Sequence, residues 1–343
     1  MKFAYIADIH LSRYGQDKIE DESNLPERLH SIRRALVEVA EYCIANDIEY
    51  IILGGDTLHG KSVIYAIAQE LMLEYFHTYN EKIKFIVIDG NHDVSGKGEK
   101  VVSALRSLKN VPNVDWVGFD TTLHWKSEDI LFVPYSYKLP QVIKENKAKI
   151  LISHFGLSEG MLNSGMSIIS DVSIKDLLGR YETVLLGHYH KPQEIIRPDI
   201  SIYYVGSLIQ LDWGEKGDEK RFLVVDSDTM DIQSIPITQY KKHIEIELLS
   251  SNVDEALQAA REAKKAGHHV NVIMKEAVDL TSVKGEFHVV DKTETDITDR
   301  GITSSMSQDD KCRKYLDIKQ IPEDKRELYF KLAKEIIDEV EGV

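Results

Sequence analysis

The feature that most limits the possible folds is a set of short apolar runs in the first 240 residues. Each run is too short for a helix and is rich in Ile, Val and Leu, which is typical of strands buried on both faces. The runs cover residues 3–7, 50–53, 85–88, 150–152 and 184–186. Amphipathic stretches lie between the first of them. This alternation predicts an α/β layered domain.

Two helices are predicted between these runs. The first has apolar residues at helical spacing, at Leu29, Ile32, Leu36, Val39 and Cys43. Asn24 is a candidate cap for it, and Pro26 suits its first turn. The second is expected to pass through Val63, Ile67 and Leu71. The segment therefore has a β-α-β-α order.

Beyond residue 200 the pattern changes to successive strands, at residues 202–205, 222–225 and 232–237. We expect these strands to form a second sheet or a sheet edge that completes the same domain. A domain of residues 1–240 follows from this pattern.

The remaining residues form a smaller module and a tail. A strand at 243–249, a helix at 253–266 and a strand at 270–274 predict a small α+β capping domain over residues 241–290. Residues 291–310 are polar and are expected to be a linker. Residues 311–343 are predicted to be a helical segment, with a narrow apolar stripe at Leu328, Leu332, Ile336 and Val340.

Nearly every apolar run of the first domain ends in a residue that can bind a metal. These residues are Asp8 and His10, Asp56, Asn91 with His92 and Asp93, His154, and His188 with His190. In α/β sheets, ligands gather at the carboxyl ends of the strands. We therefore expect these side chains to meet at one rim of the sheet.

Each of these motifs alone has an ordinary explanation. Asp-x-His after a strand is mostly chance, Gly-Asp usually marks a turn, and an isolated histidine is more often a packing residue than a ligand. Gly-Asn-His-Asp is more specific, because the His-Asp pair is not needed for a tight loop. Gly-His-x-His, the fifth motif, is moderately specific, because its two histidines lie two residues apart and can face one centre. The joint occurrence of all five motifs, in order and at strand ends, favours a metal site.

Composition excludes several other classes of protein. The chain has 343 residues and a formal charge of −15, which by itself argues against binding nucleic acid. It has no apolar run near the roughly 18 residues of a membrane span. Its first residues do not resemble a signal peptide, so we expect a soluble, cytoplasmic protein. Cys43 and Cys312 form neither a disulfide framework nor a zinc motif.

The ordered motifs resemble the calcineurin-like metallophosphoesterase superfamily. Within it, the match is to the SbcD-type nuclease family, the bacterial and viral relatives of the eukaryotic meiotic-recombination-11 nuclease. Further marks of this family are Asp8-Ile9-His10-Leu11, the segment Gly187-His188-Tyr189-His190-Lys191-Pro192-Gln193, and Tyr204-Val205-Gly206-Ser207, in which Val205 replaces a proline. The length and the Tyr315 to Pro322 region resemble the short recombination endonuclease subunits of tailed phages.

The resemblance implies a four-layer sandwich, with helices flanking two mixed β-sheets, and two divalent metal ions. Imidazole, amide and carboxylate ligands without thiolates suit Mn²⁺, with Mg²⁺ also possible. One ion is expected on Asp8, His10, Asp56 and His190, and the other on Asp56, Asn91, His154 and His188. Asp56 would bridge two ions spaced about 3.5–4 Å apart.

Three further residues receive roles from the resemblance. His92 is expected to stabilise the pentavalent phosphorus or to protonate the leaving 3′ oxygen. Asp93 either holds the loop or orients the imidazole of His92. His59 occupies a position where phosphoprotein phosphatases carry Asp. Histidine there serves exonuclease action in the meiotic-recombination-11 branch, but many bacterial SbcD proteins have Asp, so His59 does not decide the branch.

The expected function is that of a Mn²⁺-dependent DNA nuclease subunit, with 3′→5′ exonuclease activity on duplex ends and endonuclease activity on single strands or hairpins. The expected partners are DNA, an SbcC-type ATPase bound by the carboxyl-terminal helix, and a second copy of the chain. A phosphomonoesterase or a cyclic-nucleotide phosphodiesterase with the same core is the alternative. A catalytically silent scaffold is disfavoured, because all seven expected ligands are present.

Several other residues could contact DNA. Lys97, Lys100, Arg106 and Lys109 follow the Gly-Asn-His-Asp loop, although a solvated helix face is the favoured explanation for them. Tyr135 and Tyr137 could stack on a base, but tyrosines at the rim of a sheet need no such function. Two divalent ions would add +4 at the site, so the acidic composition does not exclude DNA as a ligand. Because the rest of the chain is acidic, it predicts weak, salt-sensitive DNA binding by the chain alone.

Overall fold

The computed structural model describes residues 1–14, 19–20, 25–61, 63–96, 101–119, 121–164, 170–278, 285–292, 307–319 and 321–341. The chain divides into two compact units, Met1–His243 and Ile244–Val343. No helix in the described ranges combines the length and apolar character that crossing a membrane requires.

The first unit is built mainly from two six-stranded sheets. Its strands are β1 (Lys2–Ile6), β2 (Ile19–Glu20), β3 (Leu25–Pro26), β4 (Tyr50–Leu53), β5 (Lys84–Ile88), β6 (Val94–Ser95), β7 (Val102–Ser103), β8 (Val114–Val117), β9 (Leu123–Trp125), β10 (Ile130–Val133), β11 (Ile150–His154), β12 (Thr183–Gly187), β13 (Gln193–Arg197), β14 (Ile200–Tyr204), β15 (Arg221–Asp226) and β16 (Ile232–Pro236). Its helices are α1 (Glu27–Ala45), α2 (Ala66–Tyr79), α3 (Leu139–Glu145) and α4 (Ile174–Leu177), with 3₁₀ helices at Ala104–Asn110 and Trp213–Glu215.

Both large sheets are mixed. The first has the order β16-β15-β1-β4-β5-β8, and the second has the order β13-β14-β12-β11-β10-β9. In the first sheet, β1, β4, β5 and β8 run parallel, while β15 is antiparallel to β1. In the second, β10, β11, β12 and β14 run parallel. The predicted α/β fold is confirmed.

Alternating residues of each strand fill different hydrophobic layers. In β1, Phe3 and Tyr5 lie in the layer between the two sheets, whereas Ala4 and Ile6 lie in the layer that also holds residues of α1 and α2. A third layer packs residues of α3 and α4 against the other face of the second sheet. Because side chains alternate across a strand, these three cores produce the expected helix-sheet-sheet-helix sandwich.

The structure corrects three details of the sequence analysis. Val63 is not in a helix: α2 begins at Ala66, and Val63 is 62% exposed. Pro26 precedes the first residue of α1 as its N-cap, and Asn24 lies outside the described residues. The successive late strands do not form one sheet. β14 joins the second sheet, whereas β15 and β16 extend the first.

β15 lies in the first sheet because it pairs with β1, where Phe3 is opposite Val225.

The edge strand β13 was missed by the sequence analysis. Its residues are exposed or half-buried, so it lacks the continuous apolar run that marked the other strands.

The described residues of the second unit form a three-stranded sheet and three helices. Its elements are β17 (His243–Leu248), α5 (Val253–Lys265), β18 (His269–Met274), β19 (His288–Asp291), α6 (Gln308–Ile318) and α7 (Glu323–Glu341). The sheet order is β17-β18-β19, and Leu248, Leu257 and Val272 belong to a small core of their own.

α6 and α7 contact each other. The guanidinium of Arg313 lies 3.9 Å from the ring centroid of Phe330, and Arg326 pairs with Asp317 at 2.7 Å. α6 begins at Gln308, within the segment expected to be a linker. Phe330 is buried, but Leu328 is 60% exposed and Leu332 is 44% exposed. A described part of the apolar stripe of α7 therefore faces solvent.

Candidate metal centre

The candidate site lies where loops from both large sheets meet. Loops after β1, β4 and β5 come from the first sheet, and residues at the ends of β11 and β12 come from the second. Contacts across the sheets, such as that between His10 and His190, show that both sheets contribute to one cluster. The sequence analysis expected one rim, and the structure builds that rim from two sheets.

The first group of donors is formed by Asp8, His10 and His190, whose ligand atoms lie within 4.8 Å of one another. Nε2 of His10 lies 2.9 Å from Nε2 of His190 and 3.9 Å from Oδ1 of Asp8. Both carboxylate oxygens of Asp8 accept the backbone N–H of His188 at 3.0 Å. That hydrogen bond ties the loop after β1 to the loop after β12.

The second group is centred on the side-chain oxygen of Asn91. This Oδ1 lies 3.1 Å from Nε2 of His154 and 3.0 Å from Nδ1 of His188. Nδ1 of His154 lies 2.9 Å from the carbonyl oxygen of Gly54. Because a carbonyl can only accept, Nδ1 carries the proton of this hydrogen bond, and Nε2 is the atom directed toward Asn91.

Asp56 lies between the two groups. Its Oδ2 is 3.6 Å from Nε2 of His10 in the first group and 3.3 Å from Nε2 of His154 in the second. Its other oxygen, Oδ1, accepts the backbone N–H of His92 at 2.7 Å. One oxygen is therefore held by the loop while the other is open to both groups, as a bridging ligand requires.

The donors fit two divalent ions of borderline hardness. Nitrogen and oxygen atoms converge on two adjacent points, and the described side chains that converge there include no cysteine. Asp8 and Asp56 are almost completely buried. Buried carboxylates require compensating positive charge, which divalent ions provide.

The ionisation of the site reflects this crowding of charge. Burial raises the pKa of Asp8. Burial also acts to raise the pKa of Asp56, but His154 and His10 outweigh it, and the pKa of Asp56 is lowered. Burial opposes protonation of His154, yet Asp56 and Asp8 raise its pKa to about 9. Burial lowers the pKa of His188 to about 4. The two carboxylates thus favour a positive charge next to Asp56, at the place where its side chain contacts His154.

Four of the candidate ligand residues have left-handed backbone conformations. Asp8, His10 and Asp56 have φ of 51°, 53° and 52°, and His188 has φ of 100°. Such conformations cost of order 1–3 kcal/mol each in residues other than glycine and persist only where the surroundings impose them. Here the backbone N–H groups of Asp8 and His10 donate to the carbonyls of Gly55 and Asp56, each at 3.0 Å. These hydrogen bonds hold the strained backbone in place and fix where the candidate ligand side chains start.

Close packing at Gly90 gives a testable prediction. A Cβ at this position would lie 2.2 Å from both the backbone nitrogen and Oδ1 of Asp56. We expect Gly90→Ala to displace Asp56, to cost about 1–3 kcal/mol of unfolding free energy or more, and to weaken Mn²⁺ binding. Thermal unfolding and metal titration measure the two effects.

Gly179→Ala is the matched control, because a Cβ there meets nothing within 4 Å and only a φ of 71° opposes it. Its expected cost is about 1–2 kcal/mol with metal binding intact. Equal metal affinity in both variants would contradict the role assigned to the Gly90 contact.

His92 and His59 lie beside the first group of donors. The ring centroid of His10 is 5.0 Å from that of His92 and 5.1 Å from that of His59, and the His59 and His92 rings are stacked at 5.1 Å. Nδ1 of His92 lies 2.9 Å from the carbonyl oxygen of His59, so this nitrogen is the donor of that bond. Nε2 of His92 takes no part in this hydrogen bond and is available to contact a substrate.

His59 has a different environment. Its Nδ1 lies 3.1 Å from Nδ1 of His10, and burial lowers its pKa. The ring of Tyr14 lies 5.4 Å from the His59 ring, and the Tyr14 hydroxyl donates to the carbonyl of His10 at 3.0 Å. His59 thus contacts the ring nitrogen of His10 that faces away from His190.

Asp93 holds the loops together through backbone hydrogen bonds. It is fully buried, and its carboxylate accepts the N–H groups of Gly90, Leu58 and Thr57 at 2.9, 2.8 and 3.2 Å. Burial, with Asp56 nearby, raises its pKa well above the ordinary value. Of the two interpretations of Asp93, these contacts support the one in which it holds the loop.

The residues considered as DNA contacts lie in several environments. Lys97 and Lys100 are outside the described residues. Arg106 and Lys109 are exposed, and the ammonium of Lys109 lies 4.9 Å from the ring centroid of Trp116. The remaining two are tyrosines: the hydroxyl of exposed Tyr137 donates to the carbonyl of Gly96, and burial raises the pKa of half-buried Tyr135.

The sequence analysis missed two buried charged residues next to His190. Glu215 accepts from Nδ1 of His190 at 2.8 Å, and Lys220 pairs with Glu215 at 2.8 Å. Burial opposes ionisation of Glu215, but His190 and Lys220 outweigh it and lower its pKa to about 2. Neither residue follows a predicted apolar run. They lie 25 and 30 residues after His190, and no local sequence pattern marks them as its neighbours.

Comparisons with known proteins agree with this geometry. The family model for calcineurin-like phosphoesterases matches residues 1–192. Over 311 residues the chain is 24% identical to the SbcD component of the SbcCD nuclease of Staphylococcus saprophyticus, covering 80% of this chain and 78% of that protein. Over 243 residues it is 26% identical to exonuclease subunit 1 of Enterobacteria phage T4, covering 69% and 68%.

A third relative is the DNA double-strand break repair protein Mre11 of Archaeoglobus fulgidus, 21% identical over 252 residues that cover 65% of this chain and 53% of that protein. The segment matched by the family model covers more than half of the chain and contains every residue of the two donor groups. The chain therefore belongs to the calcineurin-like phosphoesterase family.

Proposed function

We propose that the chain is the nuclease subunit of an SbcC–SbcD-type DNA repair or recombination complex, and that it hydrolyses phosphodiester bonds with two Mn²⁺ ions. Its activities would be 3′→5′ exonuclease on duplex ends and endonuclease on single strands and hairpins. The observation that carries the proposal is Oδ2 of Asp56 between two groups of nitrogen and oxygen donors, 3.6 Å from His10 and 3.3 Å from His154. The names of two relatives, a nuclease subunit and an exonuclease subunit, support a nucleic acid as the substrate, and the name of the third, a DNA double-strand break repair protein, supports DNA.

The donors divide between two ions as the motifs imply. Asp8, His10 and His190 would hold one, Asn91, His154 and His188 the other, and Asp56 both. When bound, two such ions neutralise charge on the phosphate and make water a nucleophile near neutral pH. The protein keeps the donors fixed through buried contacts, so that little reorganisation accompanies the reaction.

His92 is the residue best placed to act on the leaving group. Its backbone N–H donates to Oδ1 of Asp56, and its Nδ1 donates to the carbonyl of His59. The imidazole is thereby held beside the bridging carboxylate while Nε2 stays available. In the imidazolium form, Nε2–H can donate a proton to the departing 3′ oxygen, a step that general acids typically accelerate about 10²–10⁴-fold.

Cleavage of end-labelled DNA tests the proposal. Duplex, single-stranded and hairpin substrates are incubated with the full chain and Mn²⁺, alone and with the SbcC-type ATPase. We expect Mn²⁺-dependent release of nucleotides from duplex 3′ ends and internal cuts in hairpins. Bis-p-nitrophenyl phosphate and p-nitrophenyl phosphate, in parallel, distinguish a diesterase from a monoesterase.

Absence of nucleotide release under every condition, from protein shown to contain two metal ions, would rule out the nuclease. Faster hydrolysis of the monoester than of the diester would favour a phosphatase of the same family. Because the net charge is −15, DNA cleavage by the chain alone is expected to weaken steeply with salt.

The ATPase is proposed to bind the exposed apolar side of α7. Leu328 and Leu332 lie one helical turn apart and are 60% and 44% exposed, while Phe330 faces α6. We expect Leu328→Asp/Leu332→Asp to abolish co-purification of the ATPase and to leave hydrolysis of bis-p-nitrophenyl phosphate unchanged. Lys331→Asp, on the same helix and also exposed, is the control. Retention of the ATPase by the double variant would place its binding surface elsewhere.

Pairing of two copies is proposed through the apolar segment that leads into α2. Val63, Ile64 and Tyr65 are 62%, 39% and 42% exposed, which is unusual for three consecutive apolar side chains. Light scattering of the purified chain measures its mass, and a monomeric mass at micromolar concentration would contradict the pairing.

A further inference from the structure

Behind His190 lies a group of buried polar residues, two of which, Glu215 and Lys220, belong to no strand-end motif. Ser207, Lys220 and Glu215 are 0%, 1% and 3% exposed. Glu215 is the last residue of the 3₁₀ helix Trp213–Glu215, whose start is capped by Asp212. Charged side chains are rarely buried to this degree without a specific partner.

The contact with Glu215 determines which nitrogen of His190 is free. Oε1 of Glu215 lies 2.8 Å from Nδ1 of His190. A carboxylate only accepts, so Nδ1 carries the proton of this bond, and in the neutral ring Nε2 presents its lone pair. Nε2 is also the atom that lies 2.9 Å from Nε2 of His10. The hydrogen bond to Glu215 thus sets both the tautomer and the orientation of the His190 ring.

The same network holds the main chain of His190. The ammonium of Lys220 and the backbone N–H of Ser207 donate to the His190 carbonyl at 2.9 and 3.0 Å. Lys220 also lies 2.8 Å from Oε2 of Glu215, which accepts the hydroxyl of Ser207 at 2.7 Å. His190 is therefore held at its ring and at its carbonyl by one connected set of side chains.

Stability alone does not account for this arrangement. Replacing a buried ion pair by apolar residues of similar size is often neutral or stabilising, because the desolvation cost offsets the attraction. What the charged pair supplies, and an apolar pair would not, is a directed acceptor at Nδ1 of His190. Acceptors of this kind orient metal-binding histidines in general.

We propose that Glu215 is a positioning residue of the metal centre, which turns Nε2 of His190 toward the metal and is itself held by Lys220 and Ser207. The inference rests on the two-ion centre proposed above and is independent of whether DNA is the substrate.

Glu215→Gln and the charge-balanced Glu215→Gln/Lys220→Met test it in the full chain. The amide can donate as well as accept, so it permits either tautomer of His190. The double variant removes both charges of the buried pair, and half-buried Asp218, 3.5 Å from Lys220, keeps its hydrogen bond from Asn163. Exposed Glu219→Gln is the matched control. Three quantities are measured: Mn²⁺ binding by calorimetry, the unfolding temperature, and the His190 tautomer in metal-free protein by long-range ¹H–¹⁵N NMR.

We expect the Nδ1–H tautomer of His190 in the wild type and in Glu219→Gln, and a mixture in both Glu215 variants. Affinity for one Mn²⁺ should fall about 10–100-fold, with the other within about twofold. The unfolding temperature of the double variant should stay close to that of the wild type.

An unchanged tautomer, or two Mn²⁺ bound with wild-type affinities by the folded double variant, would overturn the positioning role. Equal weakening of both sites would do so too, since it would show a general structural effect. Failure of the wild type to bind two Mn²⁺ would count against the proposed function, and the tautomer in metal-free protein would still decide the role of Glu215.

Discussion

Asp56→Asn is expected to reduce turnover of both DNA and bis-p-nitrophenyl phosphate by about 10³-fold or more, because a catalytic metal contributes several kcal/mol and each 1.36 kcal/mol is a factor of about ten. Asparagine preserves the shape of the side chain and can still accept the backbone N–H of His92 through Oδ1. It removes the charge from the position between His10 and His154. A neutral amide is a poor bridge between two cations, so both ions should bind weakly.

Calorimetric titration with Mn²⁺ measures the loss of metal affinity directly. The unfolding temperature in the presence of excess Mn²⁺ is a second measurement. The wild type should be stabilised by the ion, because ligands that bind only the folded state raise its stability, and the variant should not be. Asp115→Asn in β8 is the control, since Asp115 is exposed and belongs to neither group of donors. Two ions bound at wild-type affinity by Asp56→Asn would show that Asp56 is not the bridge.

His92→Asn is expected to separate chemistry from metal binding. The variant should bind two Mn²⁺ with affinities close to those of the wild type and should lose about 10²–10⁴-fold in kcat, the usual contribution of a general acid or base. The reason is positional: His92 holds Asp56 by its backbone N–H, which the substitution leaves in place, and its imidazole is the part that is removed.

Single-turnover cleavage at saturating Mn²⁺ is the appropriate measurement, because it reports the chemical step apart from product release. Exposed His77→Asn, in the last turn of α2, is the matched control and should behave as the wild type. Loss of metal binding in His92→Asn would make His92 a ligand or a support of the ligands, and near-normal turnover would remove it from the chemistry.

The ends of the apolar runs were the most informative part of the sequence. Such runs become buried strands, and the side chain that follows a parallel strand must emerge at the carboxyl end of the sheet. For that reason the candidate ligands could be grouped from the sequence alone. They are Asp8, His10, Asp56, Asn91, His154, His188 and His190, and the structure brings them together.

Other features depend on distances between segments that are remote in sequence. Glu215 lies 25 residues after His190, in a 3₁₀ helix without an apolar run, and its proximity arises only when β14 and β15 join different sheets. The left-handed conformations of Asp8, His10, Asp56 and His188 are equally invisible in the sequence, because these residue types do not require them. The contacts around the loops impose them.

The sequence by itself determined the α/β class and the donors that the first unit presents, since strand formation and the position of a side chain after a strand are local properties of the chain. Only the tertiary structure decided that the donors come from two sheets, that Oδ2 of Asp56 lies between two groups, and that Glu215 and Lys220 hold His190 from behind. These are relations between distant segments, and they are set by how the two sheets pack on the core that contains Phe3, Tyr5 and Phe132.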